Sequence, residues 1–399
     1  MNYYGPVVYV VAALAAVGWL VYSGSVSQAI LIGLTTIIMG YPCALGITTP
    51  MVLAIGGGHG IARGLVVRAG EFFQALAEVN TVVFDKTGTL TYGRPTVSEV
   101  VSFGADKREV LETIAAAEVG SEHPLAGAIV RYAEFQDITL PPASDFRAVP
   151  GKGVTANVNG KRIVVGRRSF VEAEGVNLNV SNTSRTAELE AGHTVVYAAS
   201  EGIPLGAVAL QDMPRPGTAA VMKRLHGIGV RTAMLTGDSR SVAEAVARGI
   251  GIDEVHAELL PEDKVRVIER LQSEGRKVAM VGDGINDAPA LVQSDVGIAL
   301  GAGTDVAMES AGVVLVSDKL DKVVSSILLG RASHRKMKQN IAIAVISNII
   351  GMTLAILGLI TSPIAIAVMT VSVFAVLLST LSLMRLDLGA SESEETRRS

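Results

Sequence analysis

Cysteine is almost absent. A single one, Cys43, in 399 residues excludes an internal disulfide framework and a structural zinc site built from cysteines. Charge is missing in blocks: no Asp, Glu, Lys or Arg precedes Arg63, and none lies between Ile341 and Met384. Aromatic residues are only 4% of the chain although 49% of it is hydrophobic, an unusual balance for a soluble enzyme. About 20 apolar residues cross a bilayer as a helix. The charge-free ends therefore predict spans over residues 7–22 and 28–55, then 341–359 and 363–384. No basic stretch precedes the first span, and a second follows at once, which argues against a cleaved signal peptide. The net charge of −4 offers nucleic acid no attraction, so none is expected as a partner.

Basic residues flank the middle of the chain. Arg63, Arg68, Arg331, Arg335, Lys336, Lys338 and Arg385 all lie on that side of the spans, and none is near "YSGSVSQ" or "ITS". By the positive-inside rule the soluble domains are cytoplasmic and the chain is a multi-pass protein of the cell membrane, with the lipid bilayer as partner.

Between residues 79 and 322 short apolar runs alternate with amphipathic helices. "TVVFD", "VRTAMLTGD", "KVAMVGDG", "VGIAL" and "GVVLV" read as strands, with helices near 217–228, 239–249 and 262–274. The expected fold class is α/β: a doubly wound parallel sheet with an inserted α+β domain, flanked by membrane helices. The insertion holds a helix near 106–117 and a hairpin turning at Asn159 and Gly160. The expected domains are 1–62 (two membrane helices with a "YPC" motif), 63–92 with 205–330 (the sheet), 93–204 (the insertion) and 331–386 (two membrane helices). Residues 387–399 read as a disordered tail.

Three strands end on aspartate: Asp85 in "FDKTGT", Asp238 in "LTGDS" and Asp283 in "VGDGINDAP". One alone would pass for a helix cap or turn residue. At successive ends of a parallel sheet they converge on one crevice. Crowded carboxylates call for a cation, and oxygen ligands of this kind suit Mg²⁺ with a substrate phosphate. Thr236 and Gly237 offer a hydroxyl and a backbone N–H to a phosphoryl oxygen, and Lys264 in "PEDK" brings positive charge.

"DKTGTLT", "TGD" and "GDGINDAP" resemble the signatures of P-type ATPases, whose phosphorylation core is haloacid-dehalogenase-like. The resemblance, to the carboxyl-terminal half of a heavy-metal pump of the copper type, implies ATP and Mg²⁺ as cofactors. It implies Asp85 as the nucleophile that takes the γ-phosphoryl group, Lys86 holding the phosphate, and Asp85, Asp283 and the Thr87 carbonyl as Mg²⁺ ligands. Asn286 and Asp287 support the site. A phosphatase of the same superfamily carries a second Asp two positions after the nucleophile; here that position is Thr87, which has no usable proton near neutral pH. In the insertion, "SEHPLAGAIV" and "PGKGV" match the nucleotide-binding domain of the heavy-metal branch, which implies ATP contacts from Glu118, His123, Gly151 and Gly153.

The same resemblance implies a transported heavy metal, copper favoured, bound by Cys43, Asn348 and Met369. Pro42 opens the helical ladder beside Cys43. The pattern departs from the family where the first of two cysteines is Tyr41 and where Ser347 replaces a tyrosine. The family's actuator domain carries a Thr-Gly-Glu loop, and no such tripeptide occurs in this sequence. The expectation is a fragment or split subunit that works with a separate chain or segment. A membrane-anchored phosphatase and an inactive pump fragment are the alternatives.

Overall fold

Runs of β-branched residues make strands buried on both faces. The computed structural model describes residues 4–41, 43–149, 151–178, 183–283, 287–301 and 305–386. It divides into two units, 80–311 and the membrane-helix unit formed by the segments on either side.

In the first unit, Thr81–Asp85, Val278–Gly282 and Val296–Ala299 are buried at every position, as strands of a doubly covered sheet must be. They join Arg231–Leu235 and Glu254–His256 in a parallel set ordered Val296–Ala299, Val278–Gly282, Thr81–Asp85, Arg231–Leu235, Glu254–His256. The chain winds outward in both directions from Thr81–Asp85, so the carboxyl end of that strand is a switch point of the topology, where α/β folds bind ligands. Helix Pro261–Ser273 packs on this sheet through Val267, Ile268 and Leu271, against Val83, Leu235 and Met280. Each such side chain contributes about 1.5–3 kcal/mol of burial. Lys264 occupies the same stripe, one turn before Ile268. The periodicity that seats the helix therefore also aims a cation at the strand ends.

The insertion is a six-stranded antiparallel sheet in the order Thr96–Ser102, Ile203–Gln211, Thr194–Ser200, Lys161–Gly166, Gly153–Val158, Ala143–Val149. Helices Lys107–Glu118 and Pro124–Phe135 bury Val110, Ile114 and Ile129 against Val154, Ile163 and Val208. The hairpin turns at Asn159 (φ 50°) and Gly160 (φ 73°), the two left-handed residues a tight hairpin needs. The expected boundary after residue 204 falls inside strand Ile203–Gln211, so the sheet of the insertion runs on to Gln211.

The membrane-helix unit differs from expectation at its amino end. Residues 4–61 form three helices, Tyr4–Ser23, Val26–Gly40 and Cys43–Ile61. The single span expected over 28–55 breaks at Tyr41, whose backbone is extended (φ −86°, ψ 111°) immediately before a proline. Helices Asp321–Ile356 and Ser362–Leu381 follow the soluble region. Among the described residues, three helical segments, Gly5–Ser23, Asp321–Ile356 and Ser362–Arg385, are long and apolar enough to cross a membrane. Close approach relies on small residues: a Cβ at Gly40 would meet Val8 at 2.4 Å, and Trp19 Nε1 donates to the Ile356 carbonyl at 2.7 Å. "GVVLV" forms strand Val313–Leu315, and Leu65–Val67, which the sequence reading did not include, pairs with it antiparallel.

Candidate active site

Asp85 closes the central strand and is buried. The next residues, Lys86–Leu90, form a wide turn in which Thr87 is extended (φ −80°, ψ 121°) and Gly88 is left-handed (φ 82°). Two reasons require glycine at 88. The positive φ is one; the other is space, since a Cβ there would lie 2.1 Å from Asp283 Oδ2. The turn is thus folded directly onto the Asp283 carboxylate.

Lys264 Nζ donates to Asp85 Oδ1 at 2.6 Å and to Asp287 Oδ1 at 2.7 Å. Among the described residues, Asp85, Asp283 and Asp287 form a group in which one carboxylate oxygen of each lies within 4.8 Å of the others. Burial, and then the charge of Asp287, push the Asp85 carboxyl up to about 7 against the pull of Lys264. Burial and Asp287 raise Asp283 as well. Burial works against the Lys264 ammonium, yet Asp85 and Asp287 outweigh it and hold its pKa above the usual lysine value. Two carboxylates share one lysine, and the third has no lysine of its own. Such a cluster suits a hard cation with oxygen ligands.

On the other side of Asp85, buried Lys86 is ion-paired to Asp238. Thr236 is buried, and its Oγ1 accepts the Asp238 N–H at 3.1 Å, so the hydroxyl shapes the "TGD" turn. Lys86, Thr87, Gly237 and Asp238 line a cavity of about 1100 Å³ that extends to His123 of the insertion. His123 caps helix Pro124–Phe135: its Nδ1 accepts the Leu125 N–H at 3.2 Å, which leaves Nε2 to carry the ring proton.

The other nucleotide candidates stand elsewhere. Glu118 is buried at the end of its helix, and burial pushes its carboxyl up to about 7 against a Ser121 hydrogen bond. Gly153 is dictated by packing, because a Cβ would lie 2.2 Å from the Val165 carbonyl oxygen. Gly151 adopts φ 71° with nothing near its open side. None of these three lines the cavity that His123 enters. Asn286 and Pro42 lie outside the described residues, and of Cys43 only the backbone, opening helix Cys43–Ile61, is described. In the membrane helices Asn348 is buried with its Nδ2 unpartnered, and Met369 is half-buried.

Arg215 is the residue the sequence reading missed. Its Nη2 donates to the Gly88 carbonyl at 2.6 Å and its Nε to the Thr91 carbonyl at 3.1 Å. Thr91 Oγ1 in turn donates to Asp212 Oδ2 at 2.5 Å. The segment returning from the insertion thereby clamps the turn that follows Asp85. Its signal was an arginine between prolines, "MPRP", directly after an apolar strand.

Residues 79–295 match the haloacid dehalogenase-like hydrolase family. The chain is 31% identical to a solved catalytic domain of the CPx-ATPase CopB-B, covering 97% of that domain and 68% of itself with a TM-score of 0.54. It belongs to the haloacid-dehalogenase-like hydrolases and, within them, to the P-type ATPases. A solved zinc-transporting PIB-type ATPase in its E2.Pi state has a TM-score of 0.83 at 38% identity, over 96% of this chain and 62% of that one. The copper-exporting P-type ATPase of Staphylococcus saprophyticus is 39% identical over 97% of this chain and 48% of its own length. The chain thus spans about half the length of such relatives.

Proposed function

We propose that this P-type ATPase chain drives a heavy-metal cation, copper favoured, across the cell membrane through an aspartyl-phosphate intermediate, with its soluble unit in the cytoplasm. The bridge from Lys264 to Asp85 and Asp287 carries the reading, because it prepares one buried carboxylate for attack and neutralises the incoming phosphoryl group. ATP enters the 1100 Å³ cavity with its base toward His123 and its phosphates toward Lys86 and Gly237. An Asp85 carboxylate oxygen attacks the γ-phosphorus in line as the bond to the β-phosphate oxygen breaks, and ADP leaves. Lys264 and Lys86 face the charge that builds on the equatorial oxygens. Asp85, Asp283 and the Thr87 carbonyl would hold Mg²⁺, which supplies charge neutralisation between nucleophile and phosphate. Asp287 fixes Lys264, and Arg215 fixes the turn.

A membrane-anchored phosphatase is the second reading. Thr87 is exposed into the cavity where such an enzyme needs a carboxylic acid. A threonine there neither protonates the leaving group nor activates water.

The carboxylate cluster makes stability depend on pH and metal. A carboxyl raised from 3.8 to about 7 by folding contributes stability that is full below pH 4 and is lost as pH rises through 7. The melting temperature without divalent cations should therefore fall between pH 5 and pH 8. Mg²⁺ should restore it at pH 8 and change it little at pH 5, as read by differential scanning fluorimetry. Equal stabilisation at both pH values would remove the ion from this cluster.

His123→Ala should weaken ATP by about tenfold, with the phosphorylation rate at saturating ATP unchanged, because the ring touches the base end only. Titration of phosphoenzyme formation against ATP separates the two. A drop in rate alone would place His123 outside the base-binding site.

A further inference from the structure

Helix Val26–Gly40 carries, one residue before its end, a methionine that the reading of the sequence passed over. Met39 is buried with Ala355 and Ala365 in an apolar cluster, and Met352 and Met369 pack against it from two other helices. Gly351 makes the room: a Cβ there would lie 1.8 Å from Met39 Cε and 3.2 Å from Met39 Sδ. Tyr41, by contrast, is 62% exposed, so its phenol is not enclosed with the cluster. Methionine is a common filler of irregular gaps, and one thioether would mean no more than that. Here three converge from three helices. Among the described residues, two polar groups nearby in sequence also lack partners: Asn348 Nδ2, one turn before Met352, and Ser372 Oγ, one turn beyond Met369. Asn348 is 8% exposed, so its amide is left unsatisfied in a setting where that is costly.

We propose that Met39 and Met352 join Met369 as thioether ligands of the transported ion and make the membrane site selective for a soft monovalent cation, Cu⁺ or Ag⁺, over Zn²⁺. This rests on the reading of the chain as a heavy-metal pump. Thioethers are soft, neutral donors that lose no proton on binding. The apolar spans contain no Asp or Glu, so the Cys43 thiolate is the sole anionic donor they can offer. One thiolate balances a single positive charge. A divalent ion would leave a net charge in hydrocarbon, which is strongly unfavourable. Neutral sulfur from neighbouring helices thereby supplies soft donors that the Tyr41 phenol does not.

The test is equilibrium dialysis of the full chain in detergent micelles against Ag⁺ and against Zn²⁺, with X-ray absorption of the silver-loaded protein. Ag⁺ should be retained and Zn²⁺ lost. Met39→Ile and Met352→Ile should each weaken Ag⁺ by about tenfold or more and reduce the number of sulfur neighbours of the metal. Selenomethionine-labelled protein, which needs no substitution, should show selenium bonded to silver. If the two variants keep wild-type affinity while Cys43→Ser loses it, the methionines are packing residues and the pump reading stands. A silver site without selenium neighbours, or Zn²⁺ held as tightly as Ag⁺, would also overturn the proposal. Wild-type protein that holds neither metal would remove the heavy-metal reading itself.

Discussion

Asp85→Asn will carry no acid-stable, hydroxylamine-sensitive label after incubation with γ-labelled ATP and Mg²⁺, under conditions that label the parent chain. The carboxylate is buried at the end of the central strand, and one oxygen is fixed by Lys264 at 2.6 Å. An amide of the same shape keeps the packing but has no anionic oxygen to attack phosphorus. The loss should be complete, since Asp287 is held by Lys264 and Asp283 lies against the turn at Gly88. A second readout separates lost chemistry from lost fold. Removing a carboxyl that burial and Asp287 push up to about 7 relieves an electrostatic cost of keeping it charged at pH 8. The Asn variant should therefore melt above the parent at pH 8 without Mg²⁺, and the gap should close toward pH 5. Label that persists in the variant would remove Asp85 from the nucleophile's role.

Lys264 tests the same geometry from the other partner. Lys264→Ala leaves Asp85 and Asp287 facing each other without a cation, in a site where burial already disfavours their charge. Phosphoenzyme formation should fall by about a hundredfold or more. Higher Mg²⁺ should recover part of the stability but not the rate.

Most of this site is visible in the sequence for a physical reason. A buried parallel strand must be apolar along its length, so an aspartate at its end marks both the strand boundary and the crevice. Lys264 is legible through the stripe it shares with Val267, Ile268 and Leu271. The misses also have causes. Arg215 acts on backbone carbonyls, which leave no trace in side-chain patterning. At Gly153 the sequence shows only a Gly-x-Gly turn, while the close approach of the Val165 carbonyl that also requires glycine there comes from the neighbouring strand. Pro42 marks the interruption of the ladder, but apolar composition continues through Tyr41, so the division into two separate helices does not show in the hydropathy. Met39 was invisible for the same reason, since only the pairing of helices distinguishes a filler from a cluster.

The phosphoenzyme of this chain should outlive that of any haloacid-dehalogenase-like phosphatase by at least about a hundredfold, because among the described residues the carboxylates beside Asp85 are already engaged. Hydrolysis of the acyl phosphate requires a water that is both positioned and deprotonated. Asp287 is committed to Lys264, Asp238 is paired with Lys86, and Asp283 lies against the turn at Gly88. Thr87 stands in the cavity with a hydroxyl that cannot take a proton near neutral pH. No Thr-Gly-Glu tripeptide is present to bring a glutamate to the water. Two additions should shorten the lifetime by independent routes. Thr87→Asp supplies a base within the site, and general-base catalysis of this kind is worth about 10²–10⁴. A polypeptide carrying a Thr-Gly-Glu loop, in cis or in trans, supplies one from outside. The measurement is decay of the label after a chase with unlabelled ATP, on the parent chain, on Thr87→Asp, and on the parent with the added polypeptide. Slow decay in the first and fast decay in the others is the result expected of a pump, which must hold its phosphoryl group until the cargo has moved. Fast decay in the parent chain alone would mean that it hydrolyses its own acyl phosphate, and the phosphatase reading would replace the pump.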